Sequence, residues 1–273
     1  MAAAPTETAA PAYDATLEPS AAVLALVPED AETLTVTDFD QVRAELGVDE
    51  LSDQSPPAEV ASFWQRAETE RPLLTTGLLR ADGARLASTY GFTEVDVAWE
   101  AHFFGANGQE DGWVLRFRDG ADMAKVAEAA SDPASPVSGA DVDAAEQLVS
   151  SGAADDPSHS WAADPDLVTL VGLPANSTYV ARACDPAGGS GDIDDLAAYS
   201  VQFEGSLVTA RLGEGRQDLF TRMRLGNSEP AFAAAYDGGV ADPRTGRIGY
   251  VMADPAAAAK LALEHRLPFA TCG

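Results

Sequence analysis

The chain has 273 residues, 46% of them hydrophobic, and 44 acidic side chains against 17 Lys and Arg, for a formal net charge of −27. That length allows one large domain or two small ones. An anionic surface repels phosphate backbones and anionic headgroups, which argues against nucleic acid and passive membrane adsorption, and no apolar run approaches the length that spans a bilayer.

Residues 1–17 are small, polar and proline-punctuated, with neither the basic nor the apolar region of a signal peptide. They read as a flexible spacer, of the kind that follows a processed signal or a lipidated cysteine. Pro19 opens a short apolar helix that stops before Pro28. "AETLTVTDF" alternates Leu34 and Val36 with threonines and predicts a strand. "DFDQVRAELG" predicts a helix capped by Asp38 or Asp40, with Val42 and Leu46 on one face and Gly47 as its stop. "SPPAEVASFWQRAETE" is a proline-opened helix carrying Val60, Phe63, Trp64 and Ala67, and the stretch after it fits strand and helix equally. "VDVAWEAHFFG" and "WVLRFR" read as a hairpin with one buried face and one polar face. On the polar face, Glu100 and His102 are placed to pair across strands with Arg116 and Arg118. Asp119 then caps a helix containing Met123, Val126 and Ala130, and "EQLVSSG" closes the run as a strand.

The second half repeats the theme. Pro165 opens a helix that stops before Pro174, "STYVARACD" is a strand, and "YSVQFEGSLVTARLG" is a hairpin turning at Glu204 and Gly205. "GGVADPRTGRIGY" turns into another strand, Asp254 caps a helix with Pro255 first, and "LPFATC" is the expected closing strand. "EPSAAVLALVPED" and "DPDLVTLVGLPAN" align Pro19 with Pro165 and Pro28 with Pro174 without a gap. "RFRDGADMAKVAEAA" and "VMADPAAAAKLALEH" align Asp119 with Asp254 and Lys125 with Lys260. These echoes predict an internal duplication of about 140 residues, a domain-sized unit, with halves at 18–155 and 156–273. The expected fold is α+β, built of two duplicated split β-α-β (ferredoxin-like) halves. Each half is an antiparallel sheet with helices on one face, its first and last strands adjacent.

Cys184 and Cys272 lack the close spacing of a metal knuckle or a redox pair. A disulfide and two buried thiols both remain open; a disulfide fits the expected topology and implies an oxidising compartment. The three histidines fall on a strand's polar face (His102), in a loop (His159) and at a helix C-terminus (His265), where a protonated imidazole complements the dipole. No metalloprotease, paired metal-ligand or Cys–His nucleophile pattern is present, so no catalytic residue, metal or cofactor is assigned. The sharpest polar cluster is "CDPAGGSGDIDDL", where Asp185, Asp192, Asp194 and Asp195 flank a glycine-rich loop. Hard oxygens on such a loop suit Ca²⁺, although the spacing is not that of an EF-hand and Asp192 serves equally as a helix cap. Asn176-Ser177-Thr178 matches a glycosylation acceptor and equally a turn.

"ALVPEDAETLTVTDF" resembles the "helix, V-P-x-D-A, strand" opening of uncharacterised exported proteins and lipoproteins of actinobacteria, including those grouped around DUF3352. "GRIGYVMADPAAAAKLALEHRLPFATC" resembles the ending of an uncharacterised exported actinobacterial family. The resemblance implies export to the cell surface or exterior, a lipid anchor upstream, and no assigned activity. The expectation is therefore an exported, non-enzymatic binding or envelope-associated protein. Its partner would be an envelope protein or a small ligand held in the cleft between the halves. A secreted hydrolase using loop carboxylates is the alternative, and a calcium-stabilised structural module is the second.

Overall fold

Period-two runs of β-branched and aromatic residues become strands, and apolar runs opened by proline or aspartate become helices. The computed structural model describes residues 10–185 and 193–273. In chain order these give α1 (Pro19–Ala22), β1 (Thr33–Asp38), α2 (Phe39–Leu46), α3 (Pro57–Glu70), α4 (Gly83–Tyr90), β2 (Val97–Phe104) and β3 (Glu110–Phe117). There follow α5 (Met123–Ala130), β4 (Asp141–Asp143), β5 (Leu148–Ser151), α6 (Pro165–Leu170), β6 (Ser177–Arg182) and β7 (Ala198–Glu204). The chain finishes with β8 (Leu207–Arg211), α7 (Leu219–Ser228), α8 (Pro230–Ala235), β9 (Tyr236–Asp242), β10 (Arg247–Met252) and α9 (Pro255–Leu263). Among the described residues, no helix is long and apolar enough to cross a membrane.

Local capping follows the sequence closely. The Asp38 carboxylate accepts the Gln41 N–H at 2.9 Å, and Gly47, at φ 69°, ends α2 in the left-handed region. Asp254 accepts the Ala257 N–H at 3.0 Å at the start of α9. Asp254→Ala is expected to lower stability by about 1 kcal/mol in a urea titration, the usual effect of losing a helix cap. An unchanged midpoint would show that α9 does not depend on this bond.

The strands form one antiparallel sheet of ten, in the order β4-β5-β3-β2-β1-β6-β7-β8-β10-β9. This corrects the expectation of two duplicated ferredoxin-like halves, each with its own sheet. The reason lies in β1, whose two edges are taken by β2 and β6, leaving no edge for a closing strand. β5 pairs instead with β3 and β4, next to the sheet margin. "LPFATC" is not a strand: Pro268 has no N–H to give a ladder, and Pro268–Ala270 forms a short 3₁₀ turn with Phe269 buried. The two helical echoes also occupy unlike places. α5 precedes the edge hairpin β4–β5, whereas α9 follows β10, and α5 is capped by Asp122 rather than Asp119. Alanine-rich capped helices resemble one another without being equivalent.

Both faces of the sheet are covered near its centre, where helices on one face only were expected. One face packs Leu34, Val36, Ala101, Phe103, Val114 and Val180 against Trp161, the 3₁₀ turn Val23–Leu26 that follows α1, and the apolar residues of α6. On the other face, α2 to α5 cover the β2–β3 side, and α7 to α9 cover the β6–β8 side. Between these two helical layers run Thr33, Thr35 and Thr37 of β1, all buried and facing the gap. The pleat thus turns the alternation of "TLTVTD" into an apolar side and a hydroxyl-bearing side.

Candidate functional site

A cleft of about 480 Å³ opens over the β1–β6 pair, a size suited to a small molecule. Thr33, Thr35, Tyr179 and Ala181 line it from the sheet, with Phe104, Asp185, Leu263 and His265 around them. A wider cleft of about 830 Å³ lies between Asp38, Asp96, Arg116 and Arg118. Its arginines are already paired: Arg118 lies 3.1 Å from Asp40, and Arg116 lies 3.5 Å from Asp119. Arg116 Nε in the wider cleft and Asp185 Oδ2 in the smaller, central one are both buried without a hydrogen-bond partner among the described residues, and the central cleft places its open atom on a carboxylate that also neighbours a histidine.

That group is Asp185, whose exposure is 4%. Its Oδ1 accepts the Tyr199 hydroxyl at 3.0 Å and lies 3.8 Å from His265 Nδ1. Its Oδ2 is buried and has no partner among the described residues. His265 Nδ1 pairs with the Tyr179 hydroxyl at 2.9 Å, and the two rings meet edge to face with centroids 5.9 Å apart. The nearby Asp185 carboxylate raises the imidazole above its ordinary range, with burial opposing. Burial pushes both phenols upward, so Tyr179 and Tyr199 remain neutral. His265 sits just beyond the end of α9, as the sequence predicts. The sequence did not single out Tyr179, Tyr199, Thr33 or Thr35. The available signal was the strand "STYVAR" beside a threonine-bearing strand, but only the β1–β6 pairing joins them.

The site is fastened from behind by the chain's C-terminal segment. Cys184 and Cys272 form a disulfide with Cα atoms 5.0 Å apart, in segments that follow β6 and the last 3₁₀ turn. Asp185 N–H donates to the Ala270 carbonyl at 2.9 Å, and Cys272 N–H donates to the Asp185 carbonyl at 2.9 Å. Fully buried Arg222 donates to the carbonyls of Phe269 and Thr271, each at 2.9 Å, and its Nε donates to Asp218 at 2.7 Å. Burial would raise the Asp218 carboxyl, but hydrogen bonds from Arg216 and Arg222 outweigh it and hold the pKa at about 2.

A second polar cluster lies on the same face of the sheet and belongs to the fold. The expected pairing of Glu100 and His102 with Arg116 and Arg118 is not formed. A bulge between Val97 and Trp99 shifts the register, placing Leu115 opposite Glu100 and Trp113 opposite His102. The segment 73–80 then closes over what the sequence presented as a polar face. Glu100, fully buried, lies 2.6 Å from His102 Nε2, accepts the Thr75 hydroxyl, and accepts the Leu78 N–H at 2.9 Å. Glu94 accepts the Leu79 N–H at 2.6 Å. Gly77, at φ 90°, passes so close that a Cβ would meet the Glu94 side chain at 2.9 Å. Burial opposes charge on His102, but Glu100 and Glu110 raise its pKa to about 9. Burial would also raise Glu100, yet His102, Thr75 and the Leu78 N–H hold it below the ordinary range. For Glu94 burial, then the nearby Glu100, outweigh the Leu79 N–H and Arg43 and push it well upward.

A group whose folded pKa is raised supports the fold below its unfolded value and loses that support as pH climbs. Glu94 is therefore an increasing liability above about pH 4.5. Glu94→Gln is expected to match wild-type stability near about pH 4 and to equal or exceed it near about pH 8, read by urea unfolding. A variant weaker than wild type at the higher pH would show that Glu94 is ionised in the folded protein.

The remaining candidates disperse. His159 is exposed, 3.3 Å from Glu29. Asp194 offers its carbonyl to Arg216 at 2.7 Å, and Asp195 Oδ1 accepts the Gly273 N–H at 3.0 Å. Asp192 lies outside the described residues. Among the described residues, the one group of three metal-type donors close enough to share an ion is Cys184, Asp195 and Cys272, whose two sulfurs are joined in the disulfide. Asn176 is buried, with its Oδ1 accepting the Gly205 N–H at 3.0 Å. No protein-family model matches the chain, no curated protein matches it, and no solved structure matches it.

Proposed function

We propose that this is an exported, extracellular or cell-surface binding protein that seats a small polar ligand, or a protruding group of an envelope partner, in the β1–β6 cleft. The observation that carries the reading is Asp185 Oδ2, a buried carboxylate oxygen with no partner among the described residues, beside a cleft of about 480 Å³. A buried carboxylate oxygen left open at a cleft wall, on a side chain that also neighbours a histidine, gives a ligand donor a place to pair. The disulfide supports an oxidising compartment, and the resemblance of the opening and closing stretches to exported actinobacterial proteins supports the same location. Binding is favoured over hydrolysis because His265 pairs with a phenol and a carboxylate, with no Ser, Thr or Cys nucleophile bonded to it among the described residues.

The test is native mass spectrometry on protein isolated from its source without denaturation. The expected result is a small bound mass on the wild type that is missing from Ala106→Trp, a substitution at an exposed cleft-lining position that leaves the core untouched. Equal occupancy of both proteins, or a wild type that carries nothing, would overturn the reading.

A further inference from the structure

The chemistry of the cleft narrows the ligand, on the assumption that the cleft is indeed a binding site. A carboxylate oxygen accepts hydrogen bonds and cannot donate them, so Asp185 Oδ2 calls for a donor. A metal ion would need three or more protein donors close together, and among the described residues no such group includes Asp185. Thr33 and Thr35 add hydroxyl acceptors on the sheet side, while Phe104 and Leu263 add apolar surface for a short stem. The cation already in the cleft, Arg182, is committed to Asp164 at 3.0 Å. The net charge of −27 favours the approach of a positive ligand.

We propose that the cleft recognises a primary ammonium group, held against the Asp185 carboxylate at the cleft wall with its alkyl stem between Phe104 and Leu263. The ammonium belongs either to a free amine or to a lysyl side chain of a partner.

His265 gives this recognition a proton dependence. Its Nδ1 lies 3.8 Å from the other oxygen of the same carboxylate. A protonated imidazole and an ammonium on one carboxylate repel, so the ligand binds better once His265 loses its proton. Tyr179 from β6 and Asp185 beyond it face His265, Tyr199 from β7 donates to that same Asp185, and Glu264 and Arg266 stand beside His265 in sequence. Arg266 is shared between Glu264 at 3.2 Å and Glu229 at 3.7 Å, which leaves Asp185 as the carboxylate on the imidazole. The histidine therefore competes with the ligand for one partner.

Calorimetric titration of the oxidised protein with n-butylammonium, Nα-acetyl-lysine amide and propionate, at about pH 5.5 and about pH 8, tests this. Both ammonium probes are expected to bind more tightly at the higher pH. Asp185→Asn, which keeps an acceptor for Tyr199, is expected to weaken them about tenfold or more, as loss of a charge-assisted bond does. His265→Gln is expected to bind them without the pH dependence. Binding of the lysine amide alone would assign the ammonium to a partner's side chain, and binding of butylammonium alone would assign it to a free amine. If Asp185→Asn does not fold, the His265→Gln comparison carries the test. Unchanged affinity in folded Asp185→Asn, no pH effect in the wild type, or no ammonium binding at all would overturn the proposal. Propionate binding without ammonium binding would overturn it while leaving the cleft as a binding site.

Discussion

Removal of the Cys184–Cys272 bridge, by reduction or as the Cys184→Ser, Cys272→Ser double variant, is expected to lower stability by about 4 to 5 kcal/mol. The two cysteines are 88 residues apart, so the bridge closes a long loop in the unfolded chain and removes much of its freedom. In the folded protein the reduced segments still hold one another through the Asp185–Ala270 and Cys272–Asp185 backbone bonds and through Arg222. The loss should therefore appear mainly as a lower urea midpoint with the fold retained at low denaturant. It should also appear at the site, since Asp185 adjoins Cys184 and its carboxylate is aimed by that attachment. Circular dichroism with urea, with and without reductant, measures the effect. A change below about 1 kcal/mol would mean that the unfolded chain is already compact in this region.

Glu100→Ala is expected to cost about 3 kcal/mol or more near neutral pH. It strips the nearer of two carboxylates from His102, and the acceptor from the Leu78 N–H and the Thr75 hydroxyl, in a largely buried site. The sign of its pH dependence follows from the two shifts. Glu100, held low, contributes above its unfolded value and loses that contribution as pH falls through the folded one. His102, raised to about 9, contributes fully below its ordinary value and loses that contribution as pH rises through about 9. The pair thus supports the fold most between about pH 4.5 and about pH 6.5. In Glu100→Ala the alkaline decline of stability should flatten, because His102 no longer has its main reason to stay protonated. A decline as steep as in the wild type would assign it to another group.

The sequence was most informative where local chemistry decides the outcome. Asp38 and Asp254 cap their helices, Gly47 stops one, and the hairpins turn where glycine and polar residues allow it. Cys184 and Cys272 do join. Strand partners were less legible, because a strand with both edges free in sequence gives no sign of which neighbour takes them. β1 is bracketed by β2 and β6, the latter about 140 residues away in sequence, and this single pairing replaces two expected sheets with one. Glu100 and His102 looked solvated because charge marks the outer face of a lone hairpin. The segment that buries them was the stretch whose pattern fitted two structures equally. The site shows the same division. Asp185 was visible as an acid in a glycine-rich run and His265 as a helix terminus. Their meeting across Tyr179 depends on how α9 returns over the sheet, which no local pattern records.

The most direct measurement is a two-dimensional NMR titration of the oxidised protein with n-butylammonium at about pH 8, the less protonated end for His265 of the calorimetric pH range. Shifts concentrated at Thr33, Thr35, Tyr179, Asp185 and His265, saturating together, are the predicted result. Shifts gathered instead around Asp38, Asp96 and Arg118, or none at all, would contradict the assignment of the β1–β6 cleft as the binding site.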